Sequence, residues 1–296
     1  MSRIGFIGLG IMGRPMAGHL VNAGHAFCVL DRGTVPPELI EKGATLVGSS
    51  AEVAQRSDII FLMVPDTPQV EEVLFGPSGV SEGLSPDKIV VDMSSISPIR
   101  TKAFAERVGN AGCAYLDAPV SGGEVGAKAG TLTIMVGGPQ DAFNTVEPLF
   151  RLMGKNITLV GGNGDGQTTK VANQIIVAMT ILAVSEAMVF ACKAGADPER
   201  VRQALLGGFA NSRILEAHGE RMVKRTFEPG FRISLHQKDL NLALEGARSL
   251  RMSLPGTALC QQLLTAAAAR GDGDADHSAL VKVLELLADH ELGASA

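Results

Sequence analysis

Six short apolar runs punctuate the first half of the chain: residues 4–8, 26–30, 59–64, 89–93, 114–118 and 132–137. Each is nearly continuous, without polar alternation, as expected of strands buried on both faces of a parallel sheet. Stretches with helical spacing lie between them. Residues 14–23 read as a helix closed by Gly24, and Ser97-Pro98 and Gly138-Pro139 place proline at the first position of two more. Strand and helix in alternation predict a doubly wound α/β sheet.

The pattern changes near residue 160. A glycine-rich stretch, residues 161–166 (GGNGDG), precedes residues 167–194, which contain neither glycine nor proline and are aliphatic around the whole helical circumference. A helix apolar on every side is expected to be buried on every side, or to have one side covered by a second copy of the chain. Gly195 is placed to close it, and Asp197-Pro198 opens another helix. Further helices are predicted over 213–225, 237–250, 257–269 and 277–290. The expected organisation is a doubly wound domain, residues 1–163, followed by an all-α domain, residues 164–296, linked by one long helix.

Composition narrows the classes. The 296 residues carry 31 acidic and 26 basic side chains, a net charge of −5 with no run of like charge. That disfavours nucleic acid, which needs clustered Lys and Arg. Cys28, Cys113, Cys192 and Cys260 form no CxxC pair, so neither a zinc site nor a redox dithiol is expected, and a reducing cytosol suits them. No basic segment followed by a long apolar one suggests a signal peptide. The longest apolar run, residues 175–184, is broken by Thr180 and is too short to span a membrane. A cytoplasmic protein with no membrane partner is the expectation.

The residues 8–13, GLGIMG, contain GxGxxG between the first strand and the first helix, and Asp31 ends the second strand, 18 residues beyond Gly13. This is the context in which the motif binds a dinucleotide. Gly8 allows the turn, Gly10 lets the backbone approach a pyrophosphate, and Gly13 lets helix and strand pack closely. Leu9, Ile11 and Met12 complete the loop, and the helix start offers N–H groups to phosphate. Asp31 suits the ribose hydroxyls of NAD, whereas Arg32 suits the 2′-phosphate of NADP. The plainer reading is a glycine turn without a ligand. In such a sheet ligands lie beyond the carboxyl ends of the strands, which here carry Val64-Pro65-Asp66, Ser94-Ser95 and residues 117–123 (DAPVSGG).

Other residues carry candidate chemistry. Lys170 lies in the first turns of the apolar helix, where burial demands a role or a partner and where a proton donor for a developing alkoxide would sit; the alternative is a solvated Lys. Asn173 and Gln174 share its face at i+3 and i+4. Ser121, Gly122 and Gly123 present successive backbone N–H groups able to hold a carboxylate, or form an ordinary flexible loop. Asp276-His277 suggests acid–base chemistry, or more plainly a helix cap with a first-turn His. No His, Cys and carboxylate spacing supports a metal site.

Residues 6–17 (FIGLGIMGRPMA), 117–123, 166–174 (GQTTKVANQ) and 238–240 (KDL) together resemble the β-hydroxyacid dehydrogenase family, in order and spacing, over essentially the whole chain. The resemblance implies a Rossmann-type domain followed by a helical one, and NAD(P)H-dependent, reversible reduction of a small carboxylate aldehyde. Lys170 matches the family's catalytic Lys. Ser121, Gly122, Gly123 and Asn173 match its substrate contacts. Ser95, Phe231 and Lys238 match its cofactor side, with Val64 and Pro65 at the strand end. Residues 229–240 (PGFRISLHQKDL) and 276–280 (DHSAL) point to the branch that reduces tartronate semialdehyde to D-glycerate. Branches acting on 3-hydroxyisobutyrate, glyoxylate or succinate semialdehyde are the alternatives, and a non-catalytic NAD-binding module is the alternative of another class. His19 stands where many members have Asn. The family forms dimers and tetramers.

Overall fold

The computed structural model describes residues 2–33 and 35–293. The chain divides into two compact units, Met1–Lys170 and Val171–Ala296. The first holds strands β1 (Arg3–Ile7), β2 (Ala26–Leu30), β3 (Thr45–Val47), β4 (Ile59–Leu62), β5 (Ile89–Asp92), β6 (Ala114–Asp117), β7 (Val120–Ser121), β8 (Leu132–Gly137) and β9 (Gly154–Gly161). Between them run α1 (Gly13–Asn22), α2 (Pro37–Glu41), α3 (Ser50–Arg56), α4 (Thr67–Phe75), α5 (Pro98–Gly109), α6 (Gly123–Ala129) and α7 (Gln140–Met153). Helix α8 (Asp165–Lys193) starts in the first unit and continues into the second.

Strands β1 to β6 are parallel in the order β3-β2-β1-β4-β5-β6. This is the doubly wound arrangement, with its switch point between β1 and β4. Alternate side chains feed two cores. Phe6, Phe61 and Val91 enter the layer that also holds Met16, Leu20 and Phe150. Ile7, Ile60, Leu62 and Val90 enter the other, with Val53, Val70 and Phe104. Burial on both faces explains why these strands show no polar alternation.

Beyond β6 the sheet departs from the parallel expectation. β8 runs antiparallel to β6 and to β7, and β9 pairs parallel with β8. β3, β7 and β9 were not marked by apolar runs: β3 has three residues, β7 two, and β9 alternates half-buried with exposed positions. Pro139 precedes α7 as its cap instead of occupying its first turn. Ser97 caps α5 as expected, accepting from the Arg100 N–H at 3.5 Å.

The second unit holds the rest of α8, with α9 (Pro198–Leu206), α10 (Glu220–Lys224), α11 (Ile233–Ser249), α12 (Pro255–Ala269) and α13 (Val281–Ala288). The helix expected over 213–225 is present, helical from 213 to 224, with a π-turn, Leu215–Gly219, that leads into α10. The helix expected from residue 277 begins as a 3-10 turn, His277–Leu280. One side of α8 packs Ile181, Leu182 and Met188 into this unit's core. It is not buried all round: Ile176 is 66% and Phe190 77% exposed. With 29 residues, α8 is long and apolar enough to cross a bilayer, which the short run read from the sequence was not, although part of its apolar stretch is enclosed in the protein.

Two enclosed carboxyls end adjacent strands of the first unit. Asp92 accepts the Ser94 N–H and the Tyr115 hydroxyl, each at 2.9 Å. Asp117 accepts the N–H of Gly164 at 2.8 Å and of Gln167 at 2.9 Å. Burial outweighs these bonds and pushes both carboxyls from 3.8 up to about 6. The folded chain therefore holds more protons than the unfolded chain between those values, so their contribution is full below about pH 4 and is lost as pH rises through about 6. In Asp92→Asn the amide can accept from Ser94 and donate to Tyr115. Denaturant unfolding across this range should show the variant losing on the order of 2–3 kcal/mol less than wild type as pH rises; an identical decline in both would contradict the assignment.

Candidate active site

The glycine turn is shaped by close contact. Gly8 has φ +103°, and a Cβ there would lie 2.2 Å from the Met63 carbonyl oxygen. A Cβ on Gly13 would lie 1.8 Å from the Gly8 carbonyl oxygen. These two glycines are demanded by the turn itself, which lets α1 start hard against β1 and β4. Gly10 differs. A Cβ there meets no protein atom within 4 Å, and its φ is not in the left-handed region. Packing does not demand a glycine at Gly10, and the open space there leaves room for a pyrophosphate to approach the backbone. Ile11 is 59% exposed beside it. Arg14 folds back over the loop and donates from Nε to the Leu9 carbonyl at 2.9 Å. The residues fit a dinucleotide.

Asp31 and Arg32 both lie exposed at the end of β2. Asp31 Oδ1 accepts the Gly33 N–H at 2.7 Å, which turns the chain back and fixes the carboxylate at the strand end. Val64 and Pro65 follow β4, and the Val64 N–H donates to Ser94 Oγ at 3.0 Å. Ser95 is half-buried in the next loop.

That loop is fixed by Gln167. Its Oε1 accepts the Ile96 N–H at 3.0 Å, and its Nε2 donates to the Ser94 carbonyl at 2.7 Å. Lys170 lies three residues further along α8 and is only 7% exposed. The start of α8 is thus held at both backbone, through Asp117, and side chain, through Gln167. Gly122 and Gly123 follow β7 with φ of +131° and +59°, a path that a Cβ would strain, and Ser121 is half-buried beside them. His19 Nε2 donates to the Ala127 carbonyl at 2.9 Å, joining α1 to the helix after this loop.

In the second unit, Asn173 Nδ2 donates to Gln174 Oε1 at 2.8 Å, and Gln174 Nε2 donates to Asp239 Oδ2 at 2.5 Å. Lys238 Nζ lies 3.1 Å from Asp239 Oδ1. Phe231 packs edge-on to His236 and His277, with centroids 5.8 and 5.4 Å away. Asp276 caps the His277–Leu280 turn through the Ser278 N–H, as the plainer reading of Asp276-His277 has it, and also accepts the N–H groups of Gly230 and Phe231.

Residues 3–162 match the NAD binding domain of 6-phosphogluconate dehydrogenase, and residues 164–284 match the NAD-binding domain of NADP-dependent 3-hydroxyisobutyrate dehydrogenase. The chain belongs to the β-hydroxyacid dehydrogenase family. This dehydrogenase is an NAD(P)-dependent oxidoreductase acting on CH–OH groups. It is 64% identical to the 2-hydroxy-3-oxopropionate reductase of Escherichia coli (strain K12), covering 98% of this chain and 99% of that one. It is 38% identical to the 2-(hydroxymethyl)glutarate dehydrogenase of Eubacterium barkeri, covering 96% and 95%. Its fold matches the solved 3-hydroxyisobutyrate dehydrogenase of Mycobacterium tuberculosis with L-serine, with TM-score 0.88, 29% identity, and 96% and 99% of the two chains covered.

Sequence reasoning did not single out Gln167, Asp92 or Asp117 as site-building residues. Gln167 and Asp117 lie inside segments that carried the resemblance, so the signal was present. Their partners, 71 and 50 residues away, were not legible.

Gly10→Ala should unfold at the wild-type temperature yet bind NADH at least about tenfold more weakly, because only the ligand needs the space. Gly13→Ala should lower the unfolding temperature, since overpacking at such a contact costs about 1–3 kcal/mol or more. Fluorescence titration and thermal unfolding check both. Wild-type NADH affinity in Gly10→Ala would remove the loop from cofactor binding.

Proposed function

We propose that this dehydrogenase reduces tartronate semialdehyde (2-hydroxy-3-oxopropanoate) reversibly to D-glycerate, with NADH as the preferred cofactor and NADP(H) as the alternative. The observation that carries the reading is 64% identity, over nearly the full length of both chains, to a 2-hydroxy-3-oxopropionate reductase. Residues 1–163 act as the cofactor domain and residues 164–296 as the domain for substrate and self-association.

The turn of Gly8, Leu9, Gly10, Ile11, Met12 and Gly13 holds the pyrophosphate on backbone N–H groups at the start of α1. Asp31 accepts the ribose hydroxyls and disfavours a 2′-phosphate, against which Arg32 acts. Val64, Pro65, Ser95, Phe231 and Lys238 complete the dinucleotide contacts. The bound dinucleotide supplies a hydride to the aldehyde carbon. Ser121, Gly122 and Gly123 hold the substrate carboxylate, and Asn173 orients the substrate. Lys170 Nζ neutralises the charge that grows on the aldehyde oxygen and gives it a proton; in the reverse direction it takes the proton. The burial of Lys170, and the clamp one turn before it, support a fixed proton donor.

Ile176, Met179 and Phe190 leave an apolar strip on α8, and Val189, Phe190, Leu284 and Leu287 line a groove of about 520 Å³ in the second unit. These exposed apolar surfaces support a homodimer or homotetramer in which a second copy covers them. The four cysteines, all buried and unpaired, suit a reducing cytoplasm.

Lys170→Ala should lower kcat by at least about a hundredfold, the usual contribution of a positioned acid–base group, while NADH still binds. Steady-state oxidation of NADH and NADPH against tartronate, methylmalonate and succinate semialdehydes and glyoxylate should give the highest kcat/KM for tartronate semialdehyde with NADH. Another preferred aldehyde would move the chain to a neighbouring branch, and no turnover with NADH bound would make it a binding module. Sedimentation should show Phe190→Glu in smaller assemblies than wild type; unchanged assembly would place the contact elsewhere.

A further inference from the structure

Gln167 is fully buried, and its side-chain amide is turned onto the main chain of another loop. Nε2 donates to the Ser94 carbonyl and Oε1 accepts the Ile96 N–H, so the two bonds bracket Ser95. A neighbouring strand would pair with the same two groups; here one side chain takes its place. Of residues 91–97 only Ser95 is not buried, which makes it the point at which this segment reaches the surface. Asp92 holds the start of the loop through the Ser94 N–H, and Thr67 Oγ1 holds its end through the Ser97 N–H. Gln167 fixes its middle.

The backbone end of Gln167 is as tightly set. Its N–H donates to Asp117 Oδ2 at 2.9 Å. A Cβ on Gly166, the residue before it, would lie 2.5 Å from the Met135 carbonyl oxygen and 2.6 Å from that of Asp117. The first turn of α8 is therefore seated against β6 and β8 with no space in which to slide. Lys170 lies at i+3 from Gln167, on the same side of the helix. Fixing Gln167 therefore fixes where Lys170 starts.

The arrangement asks for an amide, with one donor and one acceptor in a fork. A carboxylate only accepts and would face the Ser94 carbonyl with negative charge, and a thioether replaces neither bond. Either change leaves buried main-chain groups without partners, which costs more than the bonds themselves contribute. We propose that Gln167 is a positioning residue for the reduction: by bracketing Ser95 from one turn before Lys170, it holds the cofactor-side loop and the proton donor in one register. Both polar ends of its side chain are engaged, so it acts through those two residues and not on the reacting atoms. This role rests on the reading of Lys170 as the proton donor and of Ser95 as a cofactor contact.

Gln167→Met keeps the length of the side chain and removes both bonds. Its kcat should fall about a hundredfold, the scale of a misplacement of about 1 Å at a reacting group, while the NADH dissociation constant changes much less. In a Lys170→Ala background the same substitution should cost a far smaller factor, because the group it positions is gone. A purely structural role would lower kcat by the same factor in both backgrounds. Gln167→Glu supplies a conservative rescue. A protonated carboxyl can donate to the Ser94 carbonyl and accept the Ile96 N–H, whereas the ionised form cannot. Burial, with Asp92, Asp117 and Asp165 nearby, favours the protonated form, and Lys102 and Lys170 oppose it. The kcat of Gln167→Glu, as a fraction of the wild-type value at the same pH, should therefore rise as pH falls from about 9 to about 6. Wild-type kcat in Gln167→Met, equal losses in the two backgrounds, or a Gln167→Glu fraction that stays low and flat across that range would each overturn the proposal. If Gln167→Met does not fold, the Gln167→Glu profile decides. An unimpaired Lys170→Ala would instead end the proton-donor reading, and this role would fall with it.

Discussion

Asp117 grips the first turn of α8 by two peptide N–H groups, and the arrangement of the site in the first unit depends on that grip. The carboxylate ends β6, so the last of the six parallel strands β1 to β6 and the helix that carries Lys170 meet at one side chain. Gln167, whose own N–H is one of those held, then reaches the loop after β5 with both ends of its amide. Ser94 in that loop passes the constraint to β4 by accepting the Val64 N–H. Three strand ends and a helix start are thereby tied within a few ångströms, without any of these groups having to take part in chemistry. A proton donor must sit within hydrogen-bond reach of the oxygen it serves, and a backbone clamp of this kind supplies that precision more reliably than a mobile side chain.

The clamp also has an electrostatic side. The start of a helix carries partial positive charge, which favours an acid there. Burial opposes it strongly enough to raise the carboxyl to about 6. The second unit solves the same problem in the opposite direction, surrounding Asp276 with donors until its carboxyl is held far below the ordinary range. Two buried acids of the same type thus differ because one accepts two backbone N–H groups and the other accepts three peptide N–H groups and a hydroxyl.

Much of the first unit was legible because its strands are covered on both faces. Nothing but aliphatic and aromatic residues can fill 59–62 or 89–91, and such runs announce themselves. β9 has one face in solvent and alternates, and α7 passes directly into it at Gly154, so its signal was lost. The glycine turn was readable at Gly8 and Gly13, since local sterics define their places. Gln167 was not, because its meaning lies in partners on other elements. The apolar circumference of α8 was legible too; of its two readings, burial on every side within one chain fails, because Ile176 and Phe190 face outward.

The shared helix bears on how such proteins can be recombined. Glycine-rich residues 161–164 look like a natural joint for transplanting the sheet onto a different helical partner. A cut there would strip Asp117 of the Gly164 and Gln167 peptides and leave a buried carboxylate with its donors removed, while the loop of Ser94 and Ile96 would lose the amide that holds it. Any chimaera built on this sheet has to inherit the opening two turns of α8 with it. The unit of exchange, in breeding new specificities from this scaffold, is therefore a sheet plus a borrowed piece of helix, and the seam lies inside a secondary-structure element instead of between two.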